Sequence, residues 1–151
     1  MVIRTYEDAY AAAFARLNRE WLERYDLLET GDLKYLEHPR ESIIEAGGEI
    51  FVALEGRRVV GTCAAIYRGE GSFELAKLAV DREVRGRGIG RQLVEAVMAW
   101  TRARGARSVT LLSSTKLTAA LRLYERLGFV YRPLPADPRY ETADIHMEYV
   151  L

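Results

Sequence analysis

The run Arg85-Gly86-Arg87-Gly88-Ile89-Gly90 sets three glycines at alternate positions among arginines, and Arg91 follows at once. Glycines at that spacing let the backbone come close to a ligand with no Cβ atoms in the way. Behind them Ile89, Leu93, Val97 and Trp100 recur at helical spacing, so the run opens a helix. A helix start offers unpaired N–H groups and the positive end of the macrodipole, which together attract phosphate. Three phosphate sites use such loops. A Walker loop requires Lys and then Ser or Thr after its last glycine, where this chain has Arg91-Gln92. The dinucleotide fingerprint requires G-x-G-x-x-G, and the spacing here is G-x-G-x-G in mid-chain. The pyrophosphate of coenzyme A is the remaining ligand. Taken alone, the run is equally compatible with an ordinary turn whose arginines serve solubility.

The elements that must position this loop follow from hydrophobic period and turn residues. A short strand at 2–4 precedes a helical pattern over 7–25, with Tyr10, Phe14, Leu17, Trp21 and Leu28 on one face. Asp32 reads as the N-cap of a short helix that Pro39 ends, and Ile43 and Ile44 fall in a further turn before Gly47-Gly48. Strands at 50–54, 59–67 and 72–80 form an antiparallel meander. The helix at 88–104, a strand at 108–113 and a helix at 117–127 follow, and Gly128 closes the last. A strand starts at 129–131, a loop at 132–142 holds three of the four prolines, and a strand at 143–150 ends the order. Strand–helix–strand over 72–113 implies a right-handed parallel crossover inside a mostly antiparallel sheet. The fold class expected is therefore mixed α/β, or α+β, in one domain spanning 1–151.

Composition narrows the classes. Of 151 residues 49% are hydrophobic, enough for a substantial core. Lys+Arg and Asp+Glu both number 22, and this balance argues against a nucleic-acid partner. The single cysteine, Cys63, sits mid-strand in VVGTCAAIY and reads as a small core residue; it permits no internal disulfide. The N-terminal residues lack the pattern of a secretory signal, and no apolar run nears the roughly 20 residues that span a bilayer. The expectation is a cytoplasmic protein with no membrane contact. His38 and His146 stand apart, with no metal-ligand spacing around either.

The stretch 78–93, LAVDREVRGRGIGRQL, resembles the first motif of the GNAT family of N-acetyltransferases, R/Q-x-x-G-x-G/A after a strand. A second signature, A-x-x-L-Y-x-x-x-G-F, falls on Ala120, Leu123, Tyr124, Gly128 and Phe129. A helix and a strand separate the two, as in the family. The resemblance covers roughly residues 50–131. It implies a sheet of about seven strands with about four helices, acetyl-CoA as cosubstrate, and transfer of an acetyl group to a primary amine by direct attack. For the cofactor it implies contacts from Leu78, Ala79, Val80, Arg85, Gly86, Arg87, Gly88, Ile89, Gly90, Arg91, Ser114, Leu117, Leu121 and Tyr124. It departs from the family at Leu117, where an Asn commonly caps the helix and touches the pantetheine arm. Ser113, Ser114, Thr115 and Thr118 surround that position and are candidates for the capping oxygen.

The same resemblance assigns chemistry. An alkylamine with a pKa of about 10.4 is almost wholly protonated at neutral pH, so its proton needs an acceptor. Glu74, in the apolar run FELAKLAV ahead of the glycine loop, is the candidate base; the alternative is a carboxylate facing solvent or pairing with Lys77. The backbone N–H of Leu78 is, by analogy, the donor to the thioester oxygen. One extra residue between Leu75 and Leu78 would put Phe73, Leu75, Leu78 and Val80 on one face, a bulge; a strand buried on both faces fits the pattern too. Tyr124 is the candidate acid for the departing thiolate, with simple packing in the stripe Leu117, Ala120, Leu121, Tyr124, Leu127 as the alternative. Trp21, Tyr25 and Glu29, at i, i+4 and i+8, and Tyr140 beyond the proline-rich loop are candidates for the amine site. A small-molecule amine, or a protein terminus or lysine, would bind there. A non-catalytic acyl-CoA sensor is the alternative to an enzyme, and pairing of two copies through edge strands is open.

Overall fold

The structure is a computed structural model that describes residues 1–136 and 141–151. Its elements are β1 (Val2–Thr5), α1 (Ala11–Arg24), α2 (Thr30–Glu37), β2 (Glu49–Glu55), β3 (Arg58–Gly69), β4 (Ser72–Val80), α3 (Ile89–Ala103), β5 (Ser108–Ser113), α4 (Thr118–Leu127), β6 (Val130–Arg132) and β7 (Ile145–Val150). The seven strands form one sheet in the order β1-β2-β3-β4-β5-β7-β6. Only β4 and β5 pair in parallel, as the strand–helix–strand order requires. No described helix is long and apolar enough to cross a membrane.

Two cores lie on opposite faces of the sheet. Phe14 and Leu17 of α1 and Tyr35 and Leu36 of α2 pack on Ile50, Val52, Ala64 and Ala79. Ile89, Leu93, Val94 and Val97 of α3, with Leu121 and Tyr124 of α4, pack on Ala53, Cys63, Ala65 and Leu75. Each buried aliphatic side chain contributes about 1.5–3 kcal/mol, so the stripe of α3 is the main anchor of the segment behind the glycine loop. Gly61 of β3 brings this helix in close. A Cβ there would lie 2.9 Å from Leu93 Cδ1 and 3.2 Å from Ile89 Cγ2.

The helical pattern over 7–25 divides into a 3-10 turn, Asp8–Tyr10, and α1. The turn around Ile43 is π-helical, Arg40–Ile44. The start of α2 corrects the sequence reading. Glu29, not Asp32, is the N-cap, and Asp32 sits at N3, where its carboxylate accepts the Glu29 N–H at 2.9 Å. The two acids form a reciprocal capping box, a pattern either one satisfies when read from sequence alone.

Two irregularities of β4 open the sheet. Parallel pairing with β5 runs from Ser72–Ser108 to Glu74–Thr110 and stops, although β4 continues to Val80 and β5 to Ser113. On its other edge β4 bulges: Thr62 faces Ala79 and Ala64 faces Ala76, so Lys77 and Leu78 together oppose Cys63. Lys77 takes φ +56°, a left-handed conformation that costs a residue with a Cβ about 1–2 kcal/mol. The extra residue gives the expected result. Phe73, Leu75, Leu78 and Val80 pack toward the α3 face, and Ala76 and Ala79 toward the α1 face.

Candidate active site

The diverging ends of β4 and β5 border a cleft of about 610 Å³. One side is formed by the glycine turn and the first turns of α3 and α4. The other is formed by α1, the start of α2 and residues 142–143. Gly86 and Gly88 hold φ +80° and +77°, and a Cβ on either would meet nothing within 4 Å. They are glycine for conformation and keep an open approach. Gly88 is the N-cap of α3, and the first helical bond is donated by Gln92 N to Gly88 O. The amides of Ile89, Gly90 and Arg91 therefore have no helical acceptor and form the positive end of a helix at the cleft.

The arginines around this turn part company. Arg85 lies with its guanidinium carbon 3.9 Å from the centroid of the Trp21 ring, which stacks on Tyr25 at 5.5 Å and 9°. Burial holds the Arg85 guanidinium below its ordinary pKa. Arg91 lines the cleft and pairs along its helix with Glu95 at 3.5 Å. Arg87 turns away and binds Glu55 of β2 at 2.7 Å, so it does not line the cleft. Trp21 also donates its indole N–H to Val80 O at 2.8 Å, which fastens α1 to the end of β4.

Glu74 is only 4% exposed, lines the cleft, and has Arg68 Nε at 3.9 Å. Its sequence neighbour Lys77 pairs with Asp32. Leu78 and Val80 line the cleft, while Ala79 is buried on the α1 face. Tyr124, 5% exposed, reaches the cleft from α4 and packs on Phe129 at 5.8 Å. Every fully buried side-chain N or O among the described residues has a partner. The Tyr124 side chain is among those that line the cleft. Burial, and then the neighbouring Cys63, push its pKa up, so the phenol keeps its proton at neutral pH. Burial likewise raises the Cys63 thiol, which packs on the α3 face in the neutral form.

Around α4 the structure amends the expected cap. Leu117 is the N-cap and receives no side-chain bond; the buried Ser114 hydroxyl accepts the N–H of Lys116 at 3.1 Å. Ser114 and Leu117 line the cleft, and Leu121 is buried beneath it. Of the amine-site candidates, Trp21 and Tyr25 line the cleft. Glu29 does not: α1 ends at Arg24, so the helical face never reaches it. Its carboxylate accepts N–H bonds from Glu141 at 2.7 Å and Thr142 at 3.3 Å and so ties down the loop residues ahead of β7. Tyr140 lies outside the described residues. Sequence reasoning missed Asn18, Asp32, Lys77 and Lys116, all of which line the cleft. The signal for Lys77 was available, a lysine inside the apolar run FELAKLAV.

A mixed sheet parts between its parallel strands, and a glycine turn and a bare helix start stand at the opening. The pattern described as Acetyltransferase (GNAT) domain matches residues 46–131, more than half of the chain, and the chain belongs to the GNAT acetyltransferase family. It is 35% identical over 94 residues to N-acetyltransferase 8F1 of Rattus norvegicus, a match covering 59% of this chain and 42% of the relative. The chain thus spans less than half the length of that relative. Its fold is similar to that of a GNAT-family acetyltransferase from Staphylococcus aureus Mu50, with TM-score 0.89, 20% identity and 99% of each chain covered. It is also similar to the PaiA N-acetyltransferase of Thermoplasma acidophilum in complex with coenzyme A, with TM-score 0.78, 16% identity and 100% of each chain covered.

Proposed function

We propose that this chain is an acetyl-CoA-dependent N-acetyltransferase acting on a primary amine by direct attack within a ternary complex. The observation that carries the reading is the parting of β4 from β5 beyond Glu74, which sets a glycine turn and an ionisable pocket on two sides of one cleft. The two positive-φ glycines and the bare amides of α3 fit a diphosphate, since both supply N–H groups and an approach no side chain blocks. Arg85 and Arg91 complement its charge.

Acetyl-CoA, when bound, supplies a thioester. Beside it the amide of Leu78, on the stretch of β4 that β5 leaves uncovered, donates to the carbonyl oxygen as negative charge develops there. Glu74 takes the proton from the incoming ammonium, directly or through a water, and frees the lone pair. The amine nitrogen bonds to the carbonyl carbon as the carbon–sulfur bond breaks, and the nitrogen then gives up its second proton, which restores the Tyr124 phenol or leaves to solvent. Tyr124 donates its phenolic proton to the leaving sulfur, or holds it by a hydrogen bond. The acceptor enters from the side of α1 and α2, where Trp21 and Tyr25 offer ring faces to a cation.

Calorimetric titration with acetyl-CoA tests the cleft, and release of free thiol across a panel of small amines and peptides with free N-termini tests turnover. Binding with thiol release for at least one amine is expected. Absence of binding refutes the reading. Binding with no release for any amine would assign an acyl-CoA sensor instead.

A further inference from the structure

We infer that Lys77 and Asp32 are a positioning pair that holds the β4 bulge in shape, so that the Leu78 amide meets the thioester carbonyl; this rests on the transferase reading above. The bulge is strained and does not hold itself, because Lys77 sits at φ +56° with a Cβ attached. It is gripped at two points. Its backbone carbonyl accepts from Thr62 Oγ1 at 2.9 Å, and that oxygen accepts from Asn18 Nδ2 of α1 at 3.0 Å. Its side chain crosses to α2, where the ammonium binds Asp32 beneath the Tyr35 ring at 5.6 Å. Asp32 is itself fixed, since its second oxygen holds the Glu29 N–H of the capping box.

All of this is buried polarity. Thr62 is fully buried, and Asn18, Asp32 and the Lys77 side chain are nearly so. An apolar pair would join strand and helix without desolvating two charges, so the pair is poorly explained as a source of stability. An ion pair does what an apolar contact does not: it ties one atom of the bulge to one atom of α2. The residue so tied is the immediate neighbour of Leu78, whose amide direction follows from the backbone angles of Lys77. Neither charged group needs to touch the reacting atoms.

The test reads the carbonyl itself and needs no acceptor. Acetyl-CoA labelled with carbon-13 at the thioester carbonyl is bound to the parent protein, and its carbonyl resonance is expected to move downfield as the amide polarises it. The double variant Lys77→Met, Asp32→Asn removes both charges of the pair. It is expected to lose at least half of that displacement while its calorimetric affinity for coenzyme A stays within about threefold. Lys77→Arg, which keeps a cation for Asp32, is expected to retain most of the displacement. If circular dichroism shows the double variant unfolded, Lys77→Gly with Asp32→Asn replaces it, since glycine adopts the same angle freely and the strut is still lost; the same loss is expected. A displacement unchanged in the variant that folds, or absent from a parent that binds, overturns the inference alone. A parent that does not bind acetyl-CoA overturns the transferase reading as well.

Discussion

Replacing Gly88 by alanine separates conformation from contact in the glycine turn. At φ +77° a Cβ adds about 1–2 kcal/mol of backbone strain, and since it would meet nothing within 4 Å, no local clash adds to that. If the free protein keeps the turn, the strain lowers the melting temperature by about 2–8 °C at this chain length. If the turn relaxes instead, acetyl-CoA must restore it, and affinity falls by about fivefold to thirtyfold. Gly90 is the control. Its φ is not positive, and an added Cβ would rest 3.8 Å from Leu123 Cδ2 and Val80 Cγ2, ordinary contact. In the first turn of α3 an alanine there gains up to about 1 kcal/mol, or about 2–4 °C. Differential scanning fluorimetry and calorimetric titration of both variants give the two quantities. Gly88→Ala with neither lowered stability nor weakened binding would refute the reasoning, as would Gly90→Ala weakening binding as much as Gly88→Ala does.

Three further outcomes are expected. Tyr124→Phe keeps the buried ring and loses only the hydroxyl, so thiol release should slow by about tenfold or more while cofactor affinity holds; an unchanged rate would return Tyr124 to the packing stripe. Gly61→Ala forces Leu93 and Ile89 off β3 and should destabilise the protein by about 1–3 kcal/mol, read in urea unfolding. Asp81, ahead of the glycine turn, is held below the ordinary carboxylate range by the Glu83 N–H and then by Arg58. Its folded pKa being depressed, its stabilisation is present above the unfolded value of about 3.9 and is lost as pH falls through the folded value. Asp81→Asn should therefore flatten the acid side of the melting-temperature profile, and an unaltered acid limb would count against it.

What the sequence made legible were features written locally. The glycines punctuate the turn, and the period of α3 and the apolar runs of β2 to β4 read directly. The offset between Phe73–Leu75 and Leu78–Val80 left open a bulge or a strand buried on both faces, and the bulge is what the fold holds. What stayed hidden depends on partners distant in the chain. Arg87 looks like a phosphate ligand until Glu55, 32 positions earlier, claims it. Lys77 looks like the neighbour of Glu74 until the folded chain brings Asp32 to it from 45 positions away. Glu29 fell from the helical face because no strong breaker marks the end of α1 at Arg24, and the reciprocal acids of the capping box hid which one begins α2.

The two cores described above meet only through the thickness of one sheet. Neighbouring residues of β4 belong to different ones, Leu75 to one and Ala76 to the other. The family likeness begins at residue 46, after α1 and α2, and ends at 131, before β7. The matched residues thus take in the glycine turn, α3 and α4, while α1 and α2 lie outside them. Trp21 to Val80 and Lys77 to Asp32 are among the tethers that tie α1 and α2 to β4. A change in α1 or α2 is therefore felt where these tethers land, at the bulge and at the end of β4.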